Sequence, residues 1–278
     1  MVGSTCTKIC DSSGFWCSLL KQTEAGGPVS ADAHDNQSVG APDSPPVHDR
    51  FNSPAQAAAR FVAQRGLLKP LVWRLTDVTV IGRERLKHVK GGFVAVANHS
   101  SHLDTPLIFG ALPRKLARYM AAGAAADYFF DVWWRRGLTA LFFNAFPVAR
   151  TRTRTRSISA KSLLVRGVPL LVFPEGTRSK DGTFGPFKPG AAALASSSSV
   201  PCIPIALIGV NIAHPRGTNW PKRGRLPVGV VFGDPMRANK GESAEDFMER
   251  IRVEILRMKN LYAASILKTA SSPEGAQQ

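Results

Sequence analysis

A histidine followed five residues later by an aspartate is the part of this chain best suited to chemistry: Asn98-His99-Ser100-Ser101-His102-Leu103-Asp104. The segment follows an apolar run, Gly92 to Ala97, that reads as a strand, and it precedes Thr105 to Leu112, which reads as a short helix. A side chain at a strand end lies at the sheet edge, where α/β folds bind ligands. A carboxylate on one imidazole nitrogen fixes the tautomer and stabilises the imidazolium, leaving the other nitrogen to take a proton from a hydroxyl. Read alone, the segment leaves a second role open, with Asp104 capping the helix and His99 a polar loop residue. His102 is a rival base, but its neighbours offer no acid at the same spacing.

Three more segments carry reactive or charged groups. In Phe142-Phe143-Asn144-Ala145-Phe146-Pro147-Val148-Ala149-Arg150 an apolar run leads into an arginine, and Arg152, Arg154 and Arg156 follow at alternate positions. In an extended chain alternate side chains share a face, which suits the bidentate grip of guanidinium on phosphate. A solvated basic edge is the competing reading of those last three. In Leu171-Val172-Phe173-Pro174-Glu175-Gly176-Thr177-Arg178-Ser179 a buried strand breaks into a polar turn. There Gly176 permits close backbone approach, Glu175 can accept from a hydroxyl, and Arg178 can hold an anion. Val200-Pro201-Cys202-Ile203-Pro204-Ile205 says only that an apolar strand starts between prolines.

The elements that must position these groups alternate in type. Ser53-Pro54 opens a helix expected to stop before Pro70. Thr76 to Ile81, Pro169 to Phe173, Ile203 to Val210 and Pro227 to Phe232 read as strands. Leu138 to Phe143, Ile158 to Arg166 and Gly190 to Ser196 read as helices. Ser243-x-x-Asp246 resembles a capping box for a last helix to about Leu261, with Phe247, Ile251, Ile255 and Met258 on its apolar stripe. The expected fold class is α/β, a single domain with a mixed, largely parallel sheet flanked by helices. Residues 51–262 form that domain. Residues 1–50 and 263–278 read as disordered tails, rich in Gly, Pro, Ser and Ala and without apolar periodicity.

Composition narrows the partners. Four cysteines exclude a disulfide scaffold, and no paired CxxC spacing suggests a zinc site. The formal net charge is +16, and residues 51–278 hold 33 basic against 14 acidic side chains. Such a field favours an anionic partner: nucleic acid, anionic lipid or a phosphorylated substrate. No nucleic-acid-binding pattern supports the first of these.

Taken in order, the four segments resemble the motif blocks of the glycerolipid acyltransferases, the lysophosphatidic acid acyltransferase group. NHxSxxD is Asn98 to Asp104, the second block ends at Arg150, FPEGTRS stands intact as Phe173 to Ser179, and the VPxxPV-like start is Val200 to Ile205 with a final isoleucine. The match covers about residues 70–235. The resemblance implies transfer of a fatty acyl group from acyl-CoA or acyl carrier protein to the free hydroxyl of a lysophosphatidate, giving phosphatidate. It implies His99 as general base oriented by Asp104, with Arg150, Glu175, Gly176, Thr177 and Arg178 binding substrate. It implies no metal and no bound cofactor. A glycerol 3-phosphate or other lysolipid acceptor, or a non-catalytic basic module, are the alternatives.

Many relatives in that group span the membrane, whereas no stretch here reaches roughly 18 uninterrupted apolar residues. Peripheral attachment to the cytoplasmic face of an anionic membrane is therefore expected. Trp133-Trp134-Arg135-Arg136 and Leu67-Leu68-Lys69-Pro70-Leu71-Val72-Trp73-Arg74 mix aromatic, aliphatic and basic side chains in the way interfacial anchors do. Burial of the tryptophans in the core is the competing reading.

Overall fold

The computed structural model describes residues 51, 53–125, 142–144, 146–148, 160–179 and 181–268. Seven strands form one sheet: β1 (Asp77–Ile81), β2 (Val94–Ala97), β3 (Ala121–Ala125), β4 (Phe146–Val148), β5 (Leu170–Val172), β6 (Cys202–Ile208) and β7 (Pro227–Phe232), in the spatial order β1-β7-β6-β2-β5-β3-β4. The β6–β7 pair is antiparallel, and the other five neighbouring pairs are parallel. This is the expected mixed, largely parallel α/β sheet. β2 and β6 are buried at every position, as continuous apolar runs must be when both faces of a sheet are covered.

The helices are α1 (Pro54–Val62), α2 (Lys69–Leu75), α3 (Asp104–Ala111), α4 (Arg114–Ala117), α5 (Ala160–Val165), α6 (Gly190–Ser197), α7 (Val210–Ala213) and α8 (Ala244–Lys268). One core layer joins the sheet to α5, α6 and α8 through Leu163, Leu164, Leu194, Phe247, Ile251 and Met258. The opposite layer joins it to α2 and α3 through Val72, Leu107, Ile108, Phe109 and Leu112. Burying each of these large side chains contributes roughly 1.5–3 kcal/mol. α3 has every residue from Pro106 to Ala111 buried. It packs on all sides, which fixes the height of the turn that precedes it.

Three expectations need correction. The chain does not leave the helix before Pro70: a π-helical turn, Ala63–Leu68, leads into α2. The Lys69 N–H reaches back to Gln64 O, and this wider turn leaves room for a ring that clashes in an ordinary helix interior. α8 runs past Leu261 to Lys268, and Ile266 is buried, so the folded region extends beyond the expected limit at 262. Trp73 lies against Gly110 of α3, with Lys69 Nζ 4.8 Å from its ring centroid. It is a packing residue rather than an interfacial anchor. The start of α8 is as expected, since Ser243 Oγ accepts the Asp246 N–H at 3.0 Å.

Candidate active site

β2 and β5 are parallel neighbours, so their C-terminal ends emerge at the same sheet edge. His99 follows β2 by two residues, and the Phe173 to Ser179 turn follows β5 directly. Topology alone thus unites two segments more than 70 residues apart. Asn98 anchors the first: its amide nitrogen donates to Leu207 O at 3.1 Å and its oxygen accepts the Leu207 N–H at 2.8 Å. The asparagine side chain extends the ladder to β6 by one step while the main chain turns away.

The turn from Ser100 to Asp104 then folds back. Asp104 Oδ2 lies 2.8 Å from His99 Nδ1 and accepts the N–H groups of Ser100 at 2.6 Å and Ser101 at 2.8 Å. The carboxylate is fully buried, and the His99 side chain is 21% exposed. Leu103 is the N-cap of α3 and makes no side-chain cap bond. Asp104 therefore aims back at the loop rather than capping the helix, and the capping alternative is set aside. With Nδ1 engaged, Nε2 is the nitrogen left to accept a proton. Phe173 stacks on the imidazole at 4.1 Å between centroids and 20° between planes. That contact holds the ring plane.

Glu175 lies between two backbones. Its Oε1 accepts the His99 N–H at 2.7 Å, and its Oε2 accepts the Gly185 N–H at 3.2 Å. Burial pushes its carboxyl above the ordinary value, against the pull of those two N–H groups. The Ser179 N–H closes the junction by donating to His99 O at 2.8 Å. Gly176 has φ of 72° and its N–H bonds Phe173 O at 3.1 Å. A β-carbon there would be strained in that backbone and would meet Lys188 Nζ.

Thr177 is exposed. Arg178 lines a cavity of about 350 Å³ together with His102, Leu103 and His214, and its apolar wall comes from Leu68 of the π-helical turn and Leu71, Val72 and Leu75 of α2. The cavity joins a cationic group to an apolar surface beside the His99 turn, a combination that suits a small amphiphile with an anionic head. Partial burial, then the Arg178 charge and the His214 and His99 rings, push His102 down to about 4. It is a neutral imidazole at pH 7, with no carboxylate partner like that of His99. Arg150, Arg152, Arg154, Arg156, Trp133, Trp134, Arg135 and Arg136 lie outside the described residues. Phe173, Ser101 and His214 belong to the site region without having been singled out from sequence. Phe173, in the FPEGTRS block, and Ser101, the serine of the NHxSxxD block, carried a local signal, whereas His214 did not.

No group of three or more His, Cys, Asp or Glu among the described residues is arranged to hold a metal ion. The fold and site define an α/β protein with a histidine paired to a buried carboxylate at the end of a parallel strand. Comparison with known proteins makes the class particular. Residues 77–208 match the model of the Acyltransferase family. It is similar to a 1-acyl-sn-glycerol-3-phosphate acyltransferase of Chlamydomonas reinhardtii, 33% identical over 141 residues, 50% of this chain and 41% of that one. It is also similar to a 1-acyl-sn-glycerol-3-phosphate acyltransferase alpha of Bos taurus, 29% identical over 173 residues, 59% of this chain and 56% of that one. The crystal structure of the 1-acyl-sn-glycerophosphate acyltransferase PlsC from Thermotoga maritima aligns with a TM-score of 0.59 and 25% identity, covering 77% of this chain and 86% of that one. The chain spans about half the length of the two sequence relatives it matches.

Proposed function

We propose that this protein transfers a fatty acyl group from a thioester donor, acyl-CoA or acyl carrier protein, to the free hydroxyl of 1-acyl-sn-glycerol 3-phosphate. The observation that carries the reading is the buried Asp104 carboxylate, 2.8 Å from His99 Nδ1. His99 Nε2 takes the acceptor's hydroxyl proton as the oxygen attacks the thioester carbonyl carbon. The carbon–sulfur bond breaks, the sulfur leaves as thiolate, and the proton on His99 passes to it. Atoms and charge balance without an acyl-enzyme, a metal or a bound cofactor. Asp104 stabilises the imidazolium that forms between the two transfers.

Arg178, with Arg150 from outside the described residues, binds the acceptor phosphate. Thr177 and Gly176 border the same turn, and Glu175 locks the two turns together so that base and phosphate site keep a fixed separation. Fixed placement of a nucleophile is worth several kcal/mol of barrier. The acceptor and product are lipids, so the site works at a bilayer. No helix among the described residues is long and apolar enough to cross a membrane. Val62, Leu67 and Leu71 are 67%, 61% and 45% exposed along α1, the π-helical turn and α2. Exposed apolar side chains on a chain of formal net charge +16 suit peripheral docking on anionic lipid, here on the cytoplasmic face.

The test is thiol release and product formation with oleoyl-CoA and a panel of acceptors. Lysophosphatidate is expected to be the preferred acceptor, with Arg178→Ala raising its KM more than that of oleoyl-CoA. Equal rates without any acceptor, or preference for an uncharged acceptor, would overturn the reading.

A further inference from the structure

Ser101, between His99 and Asp104, is fully buried. Its Oγ lies 2.7 Å from Nδ1 of His214 and accepts the Leu103 N–H at 3.2 Å. In the His214 tautomer protonated at Nε2, the Ser101 hydroxyl donates to Nδ1 while accepting the Leu103 N–H, and each group has a partner. His214 is 4% exposed and 113 residues away in sequence.

The segment that carries His214 is itself held by backbone. Gly209 starts it with φ of 73°, where a β-carbon would collide with Pro227 O. The His214 N–H bonds Val210 O at 2.8 Å, and Ala213 O accepts the Lys222 N–H at 2.7 Å. None of these bonds uses the imidazole. Two residues on, Arg216 Nη1 donates to Arg178 O at 3.0 Å. One segment after β6 therefore grips both turns of the site, the first through His214 and the second through Arg216.

We infer that His214 is a positioning residue for the His99–Asp104 pair, an inference that rests on the acyl-transfer reading above. Asp104 Oδ2 sits where the Ser100 and Ser101 N–H groups hold it. The direction of the Ser101 N–H depends on the backbone that the Ser101 side chain pins to His214. Removing the imidazole leaves the buried hydroxyl proton without an acceptor, and the turn must shift or admit water to satisfy it. A shift on the order of 1 Å at a reacting group costs about 10²-fold in rate.

The test compares His214→Ala, His214→Asn and His214→Gln by kcat, KM for lysophosphatidate and melting temperature. Asparagine puts an amide oxygen where Nδ1 stands, whereas the glutamine amide lies one bond further out. His214→Ala and His214→Gln should lower kcat by about tenfold or more with KM moved by less than about twofold, and His214→Asn should keep most of the wild-type kcat. The Ser101→Ala/His214→Ala double variant should be no slower than the slower single variant. The inference is overturned if His214→Ala keeps the wild-type kcat, if His214→Asn is as slow as His214→Ala, or if the two single losses multiply. Wild-type protein in the same assay separates the two levels of the argument: no acyl transfer there overturns the functional reading itself, and the His214 role with it.

Discussion

Replacing Asp104 with asparagine removes one charge and keeps most of the geometry. In the native site three donors converge on Oδ2, while the buried Oδ1 has no hydrogen-bond partner among the described residues. An asparagine can place its carbonyl oxygen at Oδ2 and still accept from the Ser100 and Ser101 N–H groups and from His99 Nδ1–H. The turn therefore survives, and what is lost is the anion that faces the imidazolium. With charge centres about 4 Å apart and an effective dielectric of about 20, that attraction is about 4 kcal/mol. Each 1.36 kcal/mol of barrier is about tenfold in rate, and the partial exposure of His99 reduces the full effect. Asp104→Asn should thus lower kcat by about 10²–10³-fold with little change in melting temperature. The assay is continuous thiol release from oleoyl-CoA in the presence of lysophosphatidate, alongside a thermal melt. A kcat within about threefold of wild type would refute the electrostatic role and leave Asp104 as a turn-forming residue. A large fall in melting temperature would instead mean that the amide had not kept the three hydrogen bonds.

Glu175→Gln leaves one acceptor oxygen for two backbone N–H groups, those of His99 and Gly185. It should cost roughly 1–3 kcal/mol of stability, read by denaturant unfolding, and lower kcat more than it raises KM. For pH, the sign follows from His102: its folded value of about 4 lies below the ordinary imidazole value of 6.5. The unfolded chain binds more protons between those values, so stability present above pH 6.5 is lost as pH falls towards 4. His102→Gln should flatten melting temperature against pH in that window, by a small amount because the side chain is only partly buried and solvent screens it. An unchanged pH profile would remove His102 from the account.

Strands with strong signals were legible from sequence. β2, β6 and β7 are short, mainly apolar runs, and they fall within two residues of where the sequence places them. β3 is not legible, because Ala121-Ala122-Gly123-Ala124-Ala125 has no branched or aromatic side chain to mark a strand. Its pairing with β5 is supplied by the sheet rather than by local preference. β4, Phe146-Pro147-Val148, is three residues long and contains a proline, which suits only an edge strand such as the one it forms. Pro70 misleads for a related reason: a proline signals a helix end unless the turn before it widens, and no local pattern announces a π-helical turn.

In the site, the His99–Asp104 spacing is legible because both partners lie on one turn. The Glu175 bond to the His99 backbone depends on the adjacency of β2 and β5, which sequence order does not disclose. Ser101 and His214 are further apart still, and a single histidine in Ala213-His214-Pro215 carries no signal of its partner.

The most direct measurement is the rate of acyl transfer from oleoyl-CoA to lysophosphatidate by the wild-type protein and by His99→Ala, side by side at pH 7.5, with melting curves for both. General-base catalysis by His99 predicts acceptor-dependent product from the wild type and a loss of about 10²–10⁴-fold in the variant, with the fold retained. A folded His99→Ala protein that turns over within about tenfold of wild type would contradict the account, because the chemistry would then lie elsewhere.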